Sequence, residues 1–336
     1  MQRKEADERP ERLHELGGYI SPIPKAPDMI TQYLPEGVKQ AARTFRDSPF
    51  KWRYIDNLSP LIKYSVKPKS LSGEGRRVLT DLNRDGIAIT TASKLLSDFS
   101  VYHELKTEVE RIEQRLATEL DQARKNAEGV AEHKTFIFNL LGDRPTLNSD
   151  DIMVRFALQK ELLQMANAYF GMLTHLRFYN VWHTFATQAP ARRSQLWHRD
   201  PEDHLILKVF VYLSDVDEGA GPFTYAPGTH LKGQIHQEPE CFREPNRQAK
   251  RSEDDQMAAV VPPERWIKGL GDAGTIIFAD TRGYHKGGLA RTHDRIMYNC
   301  MFTSPASKTK EVFTRPASLS ATKLTCEQAF ALRLGT

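Results

Sequence analysis

Apolar and polar positions along this chain follow two different periods, and the change falls near Leu173. Before it the period is helical. In Tyr102–Arg124, Leu105, Val109, Ile112, Leu116 and Leu120 recur every three or four positions, one face of an amphipathic helix that Ser97 or Asp98 could cap. A second run, Ile152 to Leu173, follows the cap signal Asn148-Ser149-Asp150. It carries Phe156, Leu162, Leu163, Met165, Tyr169 and Phe170, which at this spacing read as core rather than as cofactor contacts. Upstream, Leu79 to Leu96 predicts a short helix that passes through Asp85-Gly86 into a strand at Ile87–Thr91.

After Leu173 the pattern turns to short β-rich runs: Leu176–Phe185, Arg193–Arg199, Leu205–Leu213, Pro222–Ala226, Ala258–Val261, Thr275–Ala279 and Arg295–Phe302. Glycine- and proline-rich turns separate them, which predicts a sandwich or barrel following a helical part, an α+β arrangement. Residues 76–173 form the helical part and 174–304 the β part. Residues 232–257 are a charged insertion expected to form a surface loop or lid. Residues 1–75, dotted with Pro22, Pro24, Pro27 and Pro35, read as an irregular extension, and 305–336 as a C-terminal tail.

Composition narrows the class. The chain has 336 residues, 40% of them hydrophobic, enough for one large catalytic domain with a real core. A formal charge of +4 is too small for a nucleic-acid footprint. Cys241, Cys300 and Cys326 lie far apart, which argues against a disulfide framework and fits a reducing compartment. The charged N-terminus has no apolar run behind it, and no stretch is long enough for a membrane span. The expectation is a cytoplasmic protein with a small-molecule partner, no nucleic acid and no membrane; oligomeric state is not readable.

The chemistry lies in two distant segments. Read as a strand, Ser194–Asp200 (SQLWHRD) projects His198 and Asp200 to the same face, because residues two apart share a side. Alone, such a pair also reads as a satisfied His–Asp hydrogen bond. One more nitrogen would complete a 2-His-1-carboxylate face, which leaves positions open on Fe(II). His285, in a glycine-rich turn after the strand Thr275–Ala279, supplies it, and Arg295 opens the next strand. A rival H-x-E, His236 and Glu238, falls inside the charged insertion, where a loop would hold a metal poorly.

The segments LWHRD, VFVYLSDVDEGAGPFTYAPGTHLKG, GDAGTIIFADTRGYHKGG and RTHDRIMYNCMF, in that order, resemble the phytanoyl-CoA dioxygenase family of Fe(II)/2-oxoglutarate oxygenases. The resemblance covers about 170 to 304 well and 79 to 304 more loosely. It implies a double-stranded β-helix, a jelly-roll or cupin-like core with flanking N-terminal helices, as a catalytic domain over 76–304. It also implies His198, Asp200 and His285 as metal ligands and Arg295 as the anchor of the co-substrate's far carboxylate, with Fe(II), 2-oxoglutarate and O₂ as the cofactor set. Bidentate capture of a carboxylate suits an arginine at such a position; Arg291 is the competitor. The family often has a small polar residue two after the distal histidine, where this chain has Gly287. An aspartate at position 200, rather than a small residue, favours hydroxylation or another C–H oxidation over halogenation.

Further candidates are weaker. Tyr179 and Asn180 lie on the strand before the H-x-D segment and could reach the co-substrate. Lys208, inside the apolar run LILKVFVYL, is either a solvent-facing lysine on an edge strand or a contact to an anionic ligand. Trp197 could pack under the metal or be plain core, and His204, His230 and His293 read as supporting or surface groups. The expected function is hydroxylation of an unactivated C–H in a small polar metabolite or natural-product intermediate, with release of succinate and CO₂. Two rivals stand beside it: a cupin-like metal enzyme that does not use 2-oxoglutarate, and a non-catalytic binding protein on the same fold.

Overall fold

The computed structural model describes residues 35–66, 70–129, 135–243, 250–317 and 319–334. They fall into two units, one ending at Asp47 and one beginning at Ser48. Of the first, the described part is helix α1 (Glu36–Arg46), which buries none of its side chains. The second holds α2 (Pro49–Lys51), a π-helical turn at Trp52–Asp56, α3 (Leu58–Val66), α4 (Gly73–Asp85), β1 (Ile87–Thr91), α5 (Ala92–Leu95), α6 (Ser100–Arg115) and α7 (Ala117–Ala127). There follow β2 (Ile137–Asn139), α8 (Ile152–Ala157), α9 (Lys160–Phe170), β3 (His175–Thr184), β4 (Ile206–Tyr212), β5 (Thr224–Tyr225), α10 (Asp254–Ala258), β6 (Ile267–Lys268), β7 (Thr275–Asp280), β8 (His285–Lys286), β9 (Arg295–Thr303) and α11 (Cys326–Ala331).

Two antiparallel sheets make the core: a six-stranded one in the order β1-β7-β4-β9-β3-β2 and a three-stranded one in the order β6-β5-β8. The alternation along the large-sheet strands decides what each face meets. Val209 and Val211 of β4, Ile276 and Phe278 of β7 and Cys300 and Phe302 of β9 point to the helices and share one apolar cluster with Leu82, Leu105, Phe156 and Phe170. The intervening Phe210, Tyr212, Ile277, Ala279 and Met297 point to the small sheet and meet Tyr225 of β5 and Phe223 just before it. This is the double-stranded β-helix with helices packed on its outer face.

Gly86 ends α4 at φ 82°, a left-handed conformation, and a Cβ there would sit 2.7 Å from Nδ1 of His230. That close approach seats the Pro227-Gly228-Thr229-His230 turn against the helix end, with Gly228 N donating to Asp85 O at 2.9 Å.

Several expectations need correction. Residues 1–34 and 67–69 lie outside the described residues, but the described part of the expected irregular extension is largely helical. Trp52 is buried there, its Nε1 donating to Asp203 Oδ1 (2.8 Å) and Ser304 Oγ (3.1 Å). The C-terminal stretch is not a loose tail: Phe313, Ala331 and Leu332 are buried in the helix-side cluster. The run Tyr102–Arg124 is two helices that meet at Leu116. The run after Asn148 is also two, α8 and α9, and Asp151, not the three residues before it, caps the first by accepting from Met153 N. Ala258–Val261 is no strand; a capping box between Glu253 and Gln256 starts α10, and the apolar run holds its last residue and the turn that follows, with Val260 N and Val261 N donating to Met257 O.

Ser194–Asp200 is not a regular strand either. It opens with a 3₁₀ turn at Arg193–Gln195, after which Trp197 bridges to Ser252 and His198 to His285. Successive residues pair with different segments, so no continuous ladder forms, although side chains still alternate. The described parts of the charged insertion are packed rather than free, with Cys241, Phe242 and Met257 buried beside Trp197.

Candidate metal centre

His198 and His285 reach one another through reciprocal backbone bonds, His198 N to His285 O at 3.0 Å and His285 N to His198 O at 3.1 Å. This bridge sets their rings 4.3 Å apart between centroids. Asp200, on the same side as His198, is held by its N donating to Thr281 O at 2.9 Å. Its carboxylate lies 3.8 Å from Nε2 of His198 and 3.6 Å from Nε2 of His285. One ligand atom from each of the three falls within 4.8 Å of the others, and all three residues are buried.

The hydrogen bonds fix the tautomers. Nδ1 of His198 faces Leu196 O at 2.8 Å and Nδ1 of His285 faces Gly283 O at 3.0 Å. A carbonyl only accepts, so each Nδ1 carries the proton and each Nε2 presents its lone pair inward. Burial keeps both rings neutral, pulling His198 well below the ordinary imidazole value and His285 down to about 4. Burial would push Asp200 up, yet the Lys208 ammonium, by its charge and its hydrogen bond, outweighs it and holds the carboxyl well below its usual range. Two neutral nitrogens and one ionised oxygen on one wall are the donor set of a three-ligand Fe(II) face with open positions.

Lys208 is not on an edge strand. β4 lies between β7 and β9, with Lys208 opposite Ala279 on one side and Met301 on the other. Its ammonium donates to Asp200 Oδ2 at 2.6 Å. Burial works against its charge, but Asp200 and Glu202 more than compensate and keep it protonated.

Arg295 opens β9 and is only 3% exposed, yet its Nε and Nη1 have no hydrogen-bond partner among the described residues. Its neighbour Asp294 is engaged elsewhere, by His183 Nε2 at 2.7 Å and by Arg124. Arg291 is committed to Thr187 O (2.7 Å) and Ala189 O (2.8 Å). A cavity of about 70 Å³ connects these groups; its wall includes His198, Asp200, His285, Lys208 and Arg295. Phe136, Trp182, Phe210, Phe223 and Met297 supply apolar surface, and Ser194 and Gln195 polar surface. Gly287 lies on the wall as well, where a Cβ would meet Ser194 O at an ordinary 3.4 Å.

Two candidates do not reach the cavity. Tyr179 points to the helices, its hydroxyl donating to Thr146 O at 3.3 Å. Asn180 shares the inner face with Trp182, but its amide donates to Gly142 O (2.8 Å) and accepts from Val181 N (2.8 Å). Trp197 is core, in the cluster with Phe242 and Met257. His204 packs against Trp52, His230 faces Asn83 O and His293 pairs with Asp217, so none joins the centre. The rival pair is also elsewhere: His236 is exposed, and Glu238 meets Arg199 and Lys250. Trp182 and Phe210 were readable from parity with Asn180 and Lys208, whereas nothing in the sequence pointed to Phe136.

Residues 82–297 match the phytanoyl-CoA dioxygenase (PhyH) family, a span that includes all three ligand candidates and Arg295. The chain belongs to the phytanoyl-CoA dioxygenase family. It is therefore an enzyme of the Fe(II)/2-oxoglutarate-dependent oxygenase class, with O₂ as the second co-substrate. A search of curated proteins gave no match. Solved structures similar to it include SnoN, a non-haem α-ketoglutarate-dependent epimerase from nogalamycin biosynthesis (18% identity, 69% of this chain and 83% of that one, TM-score 0.45). HygX from Streptomyces hygroscopicus, with nickel and 2-oxoglutarate bound, matches at 13% identity over 72% of this chain and 90% of that one, TM-score 0.45. EctD from S. alaskensis, with bound Fe, matches at 16% identity over 83% and 90%, TM-score 0.45. Likeness at this level leaves reaction and substrate open. No described helix is long and apolar enough to cross a membrane.

Proposed function

We propose that the protein hydroxylates an unactivated C–H bond of a small metabolite, with His198, Asp200 and His285 holding Fe(II) and Arg295 holding the far carboxylate of 2-oxoglutarate. The observation that carries this reading is the guanidinium of Arg295, buried in the same cavity wall as the three ligands with two of its N–H groups unpartnered among the described residues. A buried, unpaired cation is costly unless an anion joins it. A dicarboxylate that chelates the metal at one end is the co-substrate that suits both groups at once.

When bound, the iron and 2-oxoglutarate together supply the O₂-dependent oxidation of the substrate C–H bond, with succinate and CO₂ as by-products. The chain's own residues do the rest. The Nδ1 bonds to Leu196 O and Gly283 O aim both imidazoles. Lys208 occupies Asp200 Oδ2 and so orients that carboxylate. Phe136, Phe223 and Met297 exclude water from the reacting carbon, while Ser194 and Gln195 offer polar contacts to the rest of the substrate. The aspartate at position 200 leaves no small-residue gap at the metal, which favours hydroxylation.

The test is substrate-stimulated succinate release by Fe(II)-loaded protein against a metabolite panel, with products weighed for one added oxygen. Arg295→Ala should raise the apparent 2-oxoglutarate requirement by orders of magnitude. An unchanged requirement would place the anchor of the co-substrate elsewhere, with Arg291 the competitor; activity that needs no 2-oxoglutarate would leave a metal enzyme that does not use this co-substrate.

A further inference from the structure

The charged insertion carries a residue that touches neither cavity nor ligand, yet joins the two ligand-bearing segments from behind. Asp254 Oδ1 accepts from Trp197 Nε1 at 2.7 Å and from Lys286 Nζ. Trp197 immediately precedes His198, and Lys286 immediately follows His285. The same oxygen therefore ties together the neighbours of both imidazoles, across the backbone bridge between His198 and His285.

The surroundings make this more than a surface ion pair. Trp197 is fully buried and meets Trp266 edge-on at 4.8 Å. The Lys286 ammonium lies 5.2 Å from the Trp197 ring and 5.5 Å from that of Trp266, so it is held by two indole faces as well as by the carboxylate. Ser252, two residues before Asp254, exchanges both backbone bonds with Trp197 at 3.0 Å. Asp254 itself is 59% exposed, so its bond to Lys286 alone would count for little. Its bond to the indole N–H is charge-assisted and reaches a side chain with no freedom to move.

We propose that Asp254 is a positioning residue for the metal site: by clasping Trp197 and Lys286 it sets the spacing and aim of His198 and His285. This rests on the assignment of those histidines as iron ligands. On this view the insertion is a bracket for the metal centre rather than a lid over it. Direct hydrogen-bond partners of metal ligands, when removed, typically weaken metal binding about 10–100-fold; Asp254 acts one residue further out, so the lower end of that range applies.

The test uses the full chain and Co(II) as the probe, titrated anaerobically and followed by calorimetry and by the visible absorption of the bound ion. Asp254→Ala should weaken Co(II) binding about 10-fold and alter the visible spectrum. Asp254→Asn, which keeps an acceptor for the indole but loses the charge opposite Lys286, should fall between that variant and wild type. Lys286→Met severs the other limb and should also weaken Co(II), which keeps the test decisive if Asp254→Ala does not fold. Lower melting temperature in Asp254→Ala with unchanged Co(II) affinity and spectrum would overturn the proposal and leave a structural contact. Wild-type protein that fails to bind Co(II) would instead overturn the metal-site assignment, a failure visible before any variant is made.

Discussion

Replacing Arg295 with methionine should move the stability of this protein in opposite directions with and without co-substrate. The buried Nε and Nη1 groups have no partner among the described residues, and burial pulls the guanidinium pKa below its ordinary value, so the native fold bears the cost of that cation. An unsatisfied buried polar group costs about 1–3 kcal/mol, more when charged. Methionine has comparable length and no polar atom, so unliganded Arg295→Met should match wild type or exceed it by about 1–3 kcal/mol. Binding tells the reverse story. Truncating one partner of a buried, hydrogen-bonded charge pair costs about 2–5 kcal/mol. That is roughly 30-fold to several-thousand-fold in 2-oxoglutarate affinity. Thermal unfolding of Co(II)-loaded protein across a 2-oxoglutarate series reads both effects. Ligand at 100 times its Kd stabilises by about 2.7 kcal/mol, so the wild-type melting temperature should climb with concentration while that of the variant stays flat. An unliganded variant several degrees less stable than wild type that still responds to 2-oxoglutarate would refute the reasoning, because Arg295 would then be a structural cation.

Lys208→Met should have the opposite sign in the unliganded protein, since it leaves Asp200 buried without the ammonium now 2.6 Å away. Breaking such a pair from one side costs about 3–5 kcal/mol, a loss that urea unfolding of metal-free protein would detect; a neutral result would mean Asp200 is solvated. His183 supplies a pH test, with Glu113 and Asp294 each 2.7 Å from one of its ring nitrogens. Burial opposes its charge, but the two carboxylates win and raise its pKa above 6.5, so its stabilisation is complete below about pH 6.5 and is lost as pH climbs through the raised value. The stability gap between wild type and His183→Gln should therefore shrink from pH 6 to pH 9, and a gap independent of pH would show that the ring is neutral in the folded state.

The chemistry was legible where it demanded particular residue types in a particular order. A histidine and an aspartate two apart, a histidine in a later glycine-rich turn and an arginine opening the last strand are local features, and the structure brings all four to one cavity. What stayed hidden depended on long-range pairing. Whether β4 is an edge or a centre is decided by β7 and β9, far along the chain, so Lys208 could not be placed from its own neighbourhood. Strand parity separates Tyr179 from Asn180 but does not say which face meets the metal, nor that backbone groups at Val181 and Gly142 would occupy the Asn180 amide. Ser194–Asp200 has the alternation of a strand without its ladder, because its partners, Ser252 and His285, belong to different segments. Ala258–Val261 is a different case: the capping pair Glu253 and Gln256 was present in the sequence, and the apolar run beside it was the louder signal.

The most direct test of the centre is anomalous diffraction at the iron edge, from crystals grown anaerobically with Fe(II) and 2-oxoglutarate. One peak should appear, ligated by Nε2 of His198, Nε2 of His285 and the Asp200 carboxylate, with the far carboxylate of 2-oxoglutarate on Arg295. Iron bound without residue 285, or a co-substrate carboxylate seated away from Arg295, would contradict the assignment of this site.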